Sequence, residues 1–247
     1  MNTRDLLALW ERAAACEPDA RDDALLAAFD PAPPASLGAR NAALLGLRAR
    51  LFGGAQRLRC ACPACGVDVE FAIDCAALSQ QLLPAADAAL PQRVEADGHR
   101  IEFRVPDVRD LRAAARAARD DGDGDDDGDA FARALLARCV TRCERDDGGA
   151  CAPASLPVTV ADALSRRMEA LEPGASVSFE LDCPACGASW SAGMDCGDVL
   201  WRELQVRAER LLLDVDALAR AYGWSEAQVL ALSPTRRAAY LQLAGAA

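Results

Sequence analysis

The pentapeptide Cys-Pro-Ala-Cys-Gly occurs twice in the chain, beginning at Cys62 and at Cys183, and its spacing is typical of metal binding. Two cysteines separated by two residues allow one tight turn to present both thiolates to the same ion. The glycine that follows suits the left-handed residue that closes such a turn. We call each pentapeptide a knuckle. Because each knuckle supplies two ligands, the two together complete one tetrahedral site.

We therefore predict a single structural zinc site. Its ligands are the four knuckle cysteines, Cys62, Cys65, Cys183 and Cys186. Four thiolates suit Zn²⁺ and leave no open position for a substrate. The long separation is no obstacle, since the entropy of loop closure grows only logarithmically with length, and the ion would contribute directly to folding. A degenerate site and a redox Cys-x-x-Cys pair are the alternatives, but a redox pair normally begins a helix after a strand.

An Asp-Cys pair follows each knuckle at the same distance, as Asp74-Cys75 and as Asp195-Cys196. With Cys60, the first knuckle and Cys75 could form a separate four-thiolate site, but the second copy has no counterpart of Cys60. Two complete sites would need a foreign ligand, and one shared site does not. We predict that Cys75 and Cys196 are buried small side chains or neighbours of the site.

The remaining cysteines carry weaker signals. The chain has 11 cysteines, and its length and the apparent lack of an export signal favour reduced thiols over disulfides. Cys139 and Cys143 are four residues apart, which places them on one face of a predicted helix and favours core packing; Cys151 follows, and Cys16 has no assigned role.

Hydrophobic periodicity predicts the elements that must position the knuckles. Alternation typical of half-buried strands surrounds both knuckles, and a hairpin with a turn at Asp97-Gly98 follows the first. Helical spacing covers residues 3–52, 107–119, 130–145, 159–171 and 199–222, and two short helices capped by Ser225 and Ser233 follow. The prediction is an α+β fold, mostly helical, with a small split zinc-ribbon module interrupted by a helical insertion.

This organisation divides the chain into five predicted segments. They are an N-terminal helical segment (1–55), the first knuckle with its hairpin (56–106), a helical insertion (107–173) with an acidic Asp/Gly loop (119–129), the second knuckle (174–197) and a C-terminal helical tail (198–247).

The charge and hydropathy of the sequence argue against nucleic acid and membrane as partners. The formal net charge of -11 repels phosphate backbones, which argues against nucleic acid. The sequence contains no run of 18 apolar residues, and acidic residues interrupt its first apolar stretch, which argues against a membrane span and a signal peptide. We expect a soluble, cytoplasmic protein without a membrane partner.

Two motifs have plausible but weaker interpretations. Asp123, Asp125 and Asp127 copy the first half of a calcium-binding loop, but Ala134 stands where a bidentate glutamate is needed, so we predict a disordered acidic loop. The tail has the spacing of a helix-turn-helix with Gly223 in its turn. A zinc-ribbon and helix-turn-helix DNA-binding regulator is therefore an alternative function, but the second helix lacks the arginine and lysine that read DNA.

Enzyme chemistry has little support in the sequence. His99, the single histidine, follows the hairpin turn and cannot complete a Ser-His-Asp or Cys-His set. No glycine-rich phosphate loop follows a strand. We predict that the protein is not an enzyme.

The order of the sequence motifs resembles a known family. The segments are LLALWERAAA, NAALLGLRARLFG, CPACGVDVEFAID, LARCVTRC, LPVTVADALSRRMEALEP, CPACGASWSAGMDCGDVLWREL and LARAYGWSEAQVLALSPTRRAAYLQL. In this order they resemble baseplate proteins, or baseplate hub assembly chaperones of the T-even type, from contractile phage tails and phage-tail-like injection systems. The resemblance covers nearly the whole chain and is most specific in the second knuckle and the tail.

The resemblance implies a non-enzymatic assembly chaperone or component of a baseplate, with hub or spike proteins as partners. It supports the four knuckle cysteines as metal ligands. It also marks a family-typical tail, comprising Trp201, Tyr222, Gly223, Trp224, Ser225, Glu226, Leu232, Pro234, Arg236, Arg237 and Tyr240. Cys75, Cys196 and the acidic loop depart from the family pattern.

Part of this tail is the predicted partner surface. We assign to it Trp201, Tyr222, Trp224, Arg236, Arg237 and Tyr240. For Trp224 and Tyr240, packing within the chain and exposure as anchors for a partner both remain open.

Overall fold

The fold is known from a computed structural model that describes residues 2–120, 127–149 and 151–245. It is a mixed α+β fold, 55% helical, with small antiparallel sheets, which confirms the predicted class. The helices are α1 (Thr3–Ala14), α2 (Pro18–Ala27), α3 (Leu37–Phe52), α4 (Cys75–Gln81), α5 (Val108–Asp120), α6 (Asp127–Cys139), α7 (Val158–Leu171), α8 (Cys196–Tyr222), α9 (Glu226–Leu230) and α10 (Pro234–Gly245). The strands are β1 (Ala55–Ala61), β2 (Asp68–Asp74), β3 (Gln92–Ala96), β4 (His99–Phe103), β5 (Val140–Arg145), β6 (Val177–Asp182) and β7 (Ser189–Met194).

The chain forms two compact units, each made of separate stretches of sequence. The first comprises Met1–Pro33, Leu47–Gly53 and Asp195–Ala247. The second comprises Pro34–Gly46 and Gly54–Met194, and contains both knuckles. In sequence terms, the N-terminal and C-terminal helices belong to the first unit and the predicted insertion belongs to the second.

The first unit is helical. An Asn2–Asp5 capping box begins α1, and α8 ends at Gly223, whose φ of 69° is the left-handed conformation that glycine adopts without strain. The hydrophobic core of this unit includes Leu7, Ala208, Leu211 and Leu230. Ser225 caps α9 as predicted, and its side chain accepts a hydrogen bond from the Gln228 backbone N–H.

The second unit contains a three-stranded sheet in the order β3-β4-β5 and a two-stranded hairpin around each knuckle. The β3-β4 turn at Asp97 and Gly98 has φ values of 45° and 70°, as the sequence predicts for this dipeptide. His99 begins β4, with its Nδ1 2.7 Å from the Asp97 carbonyl oxygen. The main hydrophobic cluster consists of Ala88, Ile101, Phe103, Cys139, Cys143, Val160, Leu164, Met168 and Leu171.

The predicted helix over residues 130–145 is wrong in its second half. Helix α6 ends at Cys139, and the following residues form β5, in which Cys143 lies opposite Ile101 of β4. The β-branched pair Val140-Thr141 favours a strand, and pairing with an existing hairpin outweighs the local helical spacing. Cys143 also forms a disulfide with Cys151, so the expectation of reduced thiols is wrong for this pair.

The acidic loop falls largely outside the described residues. Helix α5 extends to Asp120 and α6 begins at Asp127, so the ends of the predicted loop over 119–129 are helical. Asp123 and Asp125 of the partial calcium motif lie outside the described part of the chain. Among the described residues, no helix has both the length and the apolar character needed to cross a membrane.

The buried carboxylate of Asp110, near the start of α5, forms ion pairs with Arg104 and Arg138. Its side chain is 2% exposed and accepts hydrogen bonds from Arg104 at 2.5 and 2.9 Å, and Arg138 Nε lies 3.3 Å from its Oδ1. The backbone N–H of Asp107 donates to the same carboxylate at 3.0 Å. The Arg104 hydrogen bonds are the largest reason that the pKa of Asp110 is lowered to about 2.

The lowered pKa predicts a pH-dependent contribution to stability. In the unfolded chain an aspartate has a pKa of about 3.9, so the charged form of Asp110 stabilises the fold above about pH 4. This contribution is lost as the pH falls through about 2, the pKa in the folded state. We expect Asp110→Asn to reduce the free energy of unfolding by about 1–2 kcal/mol at pH 7, because both arginines are partly exposed.

Urea denaturation of the wild type and the Asp110→Asn variant at several pH values measures this effect. The difference in the free energy of unfolding between the wild type and Asp110→Asn should shrink as the pH falls below about 4. The matched control is Asp216→Asn, which removes an exposed ion pair with Arg220 and should change stability little. An Asp110→Asn difference that stays constant down to about pH 2 would contradict the assignment.

Candidate metal centre

Two β-hairpins of the second unit carry the knuckles. Strands β1 and β2 pair from Ala55↔Asp74 to Ala61↔Asp68, and β6 and β7 pair from Val177↔Met194 to Asp182↔Ser189. The first knuckle lies in the turn between β1 and β2, and the second lies in the turn between β6 and β7. The two hairpins therefore have the same register relative to their cysteines, as the repeated sequence suggests.

The register shows which residue of the second hairpin corresponds to Cys60. Cys60 lies opposite Val69 in the first hairpin, and Leu181 lies opposite Trp190 at the equivalent pair of the second. All four are half-buried, whereas their neighbours along the strands are exposed. Cys60 thus occupies an apolar packing position.

The backbone of each knuckle makes the same hydrogen bonds. The Gly66 N–H donates to the Cys62 carbonyl, and the Gly187 N–H donates to the Cys183 carbonyl, both at 2.9 Å. The two glycines have φ values of 75° and 73°. A side chain at either position would be strained in this conformation, which is why glycine ends both pentapeptides.

The two knuckles bring four sulfur atoms together. Their Sγ atoms all lie within 4.8 Å of one another, with 3.8 Å between Cys62 and Cys186 and 3.6 Å between Cys65 and Cys183. Each short distance joins the first cysteine of one knuckle to the second of the other. Within residues 2–120, 127–149 and 151–245, this is the only such group of metal-ligating side chains. The cluster is therefore close enough to hold a metal ion.

The surroundings of the cluster lower the pKa of the Cys183 thiol and raise the pKa of the Cys65 thiol. Backbone N–H groups of Cys186 and Ala185 donate to the Cys183 sulfur and lower the pKa of this thiol to about 6. At Cys65 the Val67 N–H also favours the thiolate, but the neighbouring sulfurs, above all that of Cys186, raise its pKa to about 12. Crowded negative charges oppose further ionisation, and a bound cation removes this repulsion.

The repeated Asp-Cys pair is a helix start. The Asp74 side chain accepts hydrogen bonds from the Ala76 and Ala77 N–H groups at the start of α4, and Asp195 accepts one from Asp198 at the start of α8. Cys75 and Cys196 are the first helical residues and are 0% and 1% exposed. The prediction that they are buried is confirmed, and both lie outside the four-sulfur cluster.

The sequence pattern correctly predicted that the four knuckle cysteines lie together, but it did not reveal α4 or the capping role of these aspartates. An aspartate directly before an apolar run is a recognisable helix start and could have revealed both.

The six residues of the predicted partner surface lie in different environments. Tyr222, Trp224 and Tyr240 form an aromatic cluster with ring centroids 4.8–5.8 Å apart. Trp201 lies elsewhere on α8, with the Arg21 guanidinium carbon 4.3 Å from its ring centroid. Arg236 is exposed, whereas Arg237 is only 8% exposed and forms an ion pair with Asp214.

Comparison with known proteins supplies no relative from which a role could be transferred. The sequence matches no protein-family model, no curated protein and no solved structure at a significant level.

Proposed function

We propose that the four knuckle cysteines hold one structural Zn²⁺ in a zinc ribbon. A tetrahedral site with Zn–S bonds of about 2.3 Å has sulfur–sulfur edges of about 3.8 Å. The separations of 3.6 and 3.8 Å support this fit. The ion would supply a cross-link between the β1-β2 and β6-β7 hairpins. Four thiolates also close the coordination shell, which supports a structural role over catalysis.

The protein that this centre stabilises is, in our proposal, a non-enzymatic assembly chaperone or component of a contractile-tail baseplate. The particle is a phage tail or a phage-tail-like injection system. The proposal depends on the resemblance in motif order, above all in the second knuckle and the tail. Its partners would be hub or spike proteins, and the protein would act in the cytoplasm, with or without remaining in the particle.

The aromatic cluster of the tail is the observation that best supports a protein partner. Tyr222 is 38% exposed and its hydroxyl donates to the Tyr240 carbonyl at 3.4 Å, while Trp224 is half-buried. Leu243 on α10 is 62% exposed. Rigid aromatic side chains that are partly exposed provide large contact area at low entropic cost, as anchor residues of interfaces do.

Co-expression with hub and spike proteins of contractile tails tests the role. We expect a stable complex with one of them, and we expect Tyr222→Ala to weaken it at least about tenfold without loss of bound zinc. The matched control is Val158→Ala, which truncates a side chain that is 76% exposed in the second unit and should leave binding unchanged. If none of the hub and spike proteins forms a complex with this chain, the proposal is contradicted.

The DNA-binding alternative gains no support from the geometry. Helix α9 has five residues, with Glu226 as its charged side chain, and Arg237 is engaged with Asp214. Salt-sensitive binding to duplex DNA, lost in Arg236→Ala, is the result that would favour this alternative.

A further inference from the structure

A pocket of about 470 Å³ lies in the first unit between α1, α8 and α10. We call it the arginine pocket. Its lining consists of Thr3, Leu6, Arg207, Arg210, Leu211, Leu213, Asp214, Pro234 and Arg237. Apolar side chains thus share the pocket with three guanidinium groups, a combination that fits a ligand with both an apolar body and an anionic group.

Arg237 is the most buried of the three arginines. It is 8% exposed, and its Nε donates to Asp214 Oδ2 at 2.9 Å. Its Nη1 is buried and has no hydrogen-bond acceptor in the described part of the chain. A buried guanidinium nitrogen without an acceptor is costly, so an anionic oxygen that came within its reach would relieve this cost.

The charges around the pocket leave a positive excess. Arg207 donates to Glu203 at 2.9 Å, and Arg237 is paired with Asp214. Arg210 is exposed and has no ion-pair partner among residues 2–120, 127–149 and 151–245. Glu203 lies outside the pocket lining and is shared with Arg48, whose Nη2 lies 3.9 Å from Glu203 Oε2. The lining therefore contains three arginines and one carboxylate, in a chain whose net charge is -11.

The start of α10 adds to this field. Pro234, its first residue, lines the pocket, and α10 contains 12 residues. The N-terminus of such a helix carries a partial positive charge and favours anions. This contribution has the same sign as the excess from the arginines.

We propose that the arginine pocket binds a carboxylate carried by an apolar group. The positive excess of the lining matches an anion, and the planar guanidinium matches the two oxygens of a carboxylate. Leu6, Leu211 and Leu213 provide the apolar contact. The ligand is either an acidic residue next to leucine in a partner segment or a small organic acid. The proposal requires neither the zinc site nor the baseplate role.

Calorimetric titration of the full-length protein tests the proposal with two pairs of probes. The first pair is N-acetyl-leucine and its neutral amide, N-acetyl-leucinamide. The second is the peptide acetyl-Ala-Leu-Glu-Leu-Ala-amide and the same peptide with glutamine in place of glutamate. We expect the carboxylate member of at least one pair to bind about tenfold more tightly than its neutral partner. Preference in the peptide pair alone indicates a protein ligand, and preference in the acetyl-leucine pair alone indicates a small acid.

Arg210→Ala is the decisive variant, because this exposed side chain makes no ion pair that its removal would break. We expect it to weaken binding of the carboxylate probe about tenfold and to leave the thermal unfolding midpoint unchanged. Arg220→Ala, on the same helix but outside the pocket lining, is the matched control and should bind like the wild type. Equal binding of charged and neutral probes, or undiminished binding by Arg210→Ala, overturns the proposal, as does binding of inorganic phosphate with neither carboxylate probe bound.

Discussion

Replacement of Cys183 by serine is expected to abolish zinc binding and to destabilise the second unit strongly. A serine hydroxyl replaces the thiolate that the Cys186 and Ala185 N–H groups favour, and a three-thiolate site binds zinc far more weakly. Structural zinc contributes roughly 10–16 kcal/mol in small zinc-finger peptides, which is comparable to the whole stability of a domain. We expect the thermal midpoint of the second unit to fall by more than about 10 °C.

Elemental analysis and thermal unfolding together test this prediction. The wild type should carry about one zinc per chain and, with a strong chelator, should unfold at the midpoint of Cys183→Ser. Cys60→Ser is the matched control, because Cys60 lies in β1, two residues before Cys62, but outside the cluster. It should retain zinc. If Cys183→Ser loses zinc but keeps its unfolding midpoint, the ion does not hold the fold.

The four-cysteine cluster could be predicted from sequence because each half of it depends on local geometry. A knuckle needs only two cysteines, a tight turn and a glycine, and each of these is visible in five residues. The knuckle hairpins and the Asp97-Gly98 turn follow from equally local signals. The Asp-Cys pairs were harder to interpret, since their equal spacing from the knuckles suggested ligands. Asp74 and Asp195 instead cap the helices that leave the two hairpins.

The disulfide and β5 depend on contacts that are distant in sequence. Leu136, Cys139, Val140 and Cys143 follow helical spacing, and nothing local shows that the hairpin β3-β4 has a free edge for Val140 and Cys143. Pairing with β4 decides their conformation, and the resulting strand places Cys143 beside Cys151, with 5.4 Å between their Cα atoms. Cysteine pairing of this kind is not encoded in spacing.

Gly174 is a position where addition of one methyl group should disrupt the second unit. It lies in the connection from α7 to β6, and therefore sets where the second knuckle hairpin begins. A Cβ atom at Gly174 would lie 2.5 Å from the Leu82 carbonyl oxygen and 3.0 Å from the Gly38 Cα. Both are backbone atoms that cannot rotate away.

The surrounding hydrogen bonds oppose any relaxation of this connection. The Gly38 N–H donates to Glu172 Oε2, and the Asn41 side chain donates to the Gly174 carbonyl, each at 2.8 Å. The Ala85 N–H donates to the Leu171 carbonyl at 2.8 Å. A shift that relieved the clash would strain these hydrogen bonds, of which the one between Gly38 and Glu172 is buried, and this adds to the cost.

We therefore expect Gly174→Ala to lower the free energy of unfolding by about 2–3 kcal/mol, measured by urea denaturation. The matched control is Gly46→Ala on helix α3. Its nearest contact would be Ser79 Oγ at 3.8 Å, so it should stabilise the protein by about 0.5–1 kcal/mol. Because the connection leads into β6, Gly174→Ala should also weaken zinc affinity in competition with a chromophoric chelator, whereas Gly46→Ala should not. Equal stability of the two variants would show that the connection relaxes around the added methyl group, and equal zinc affinity would show that it does not position the second hairpin.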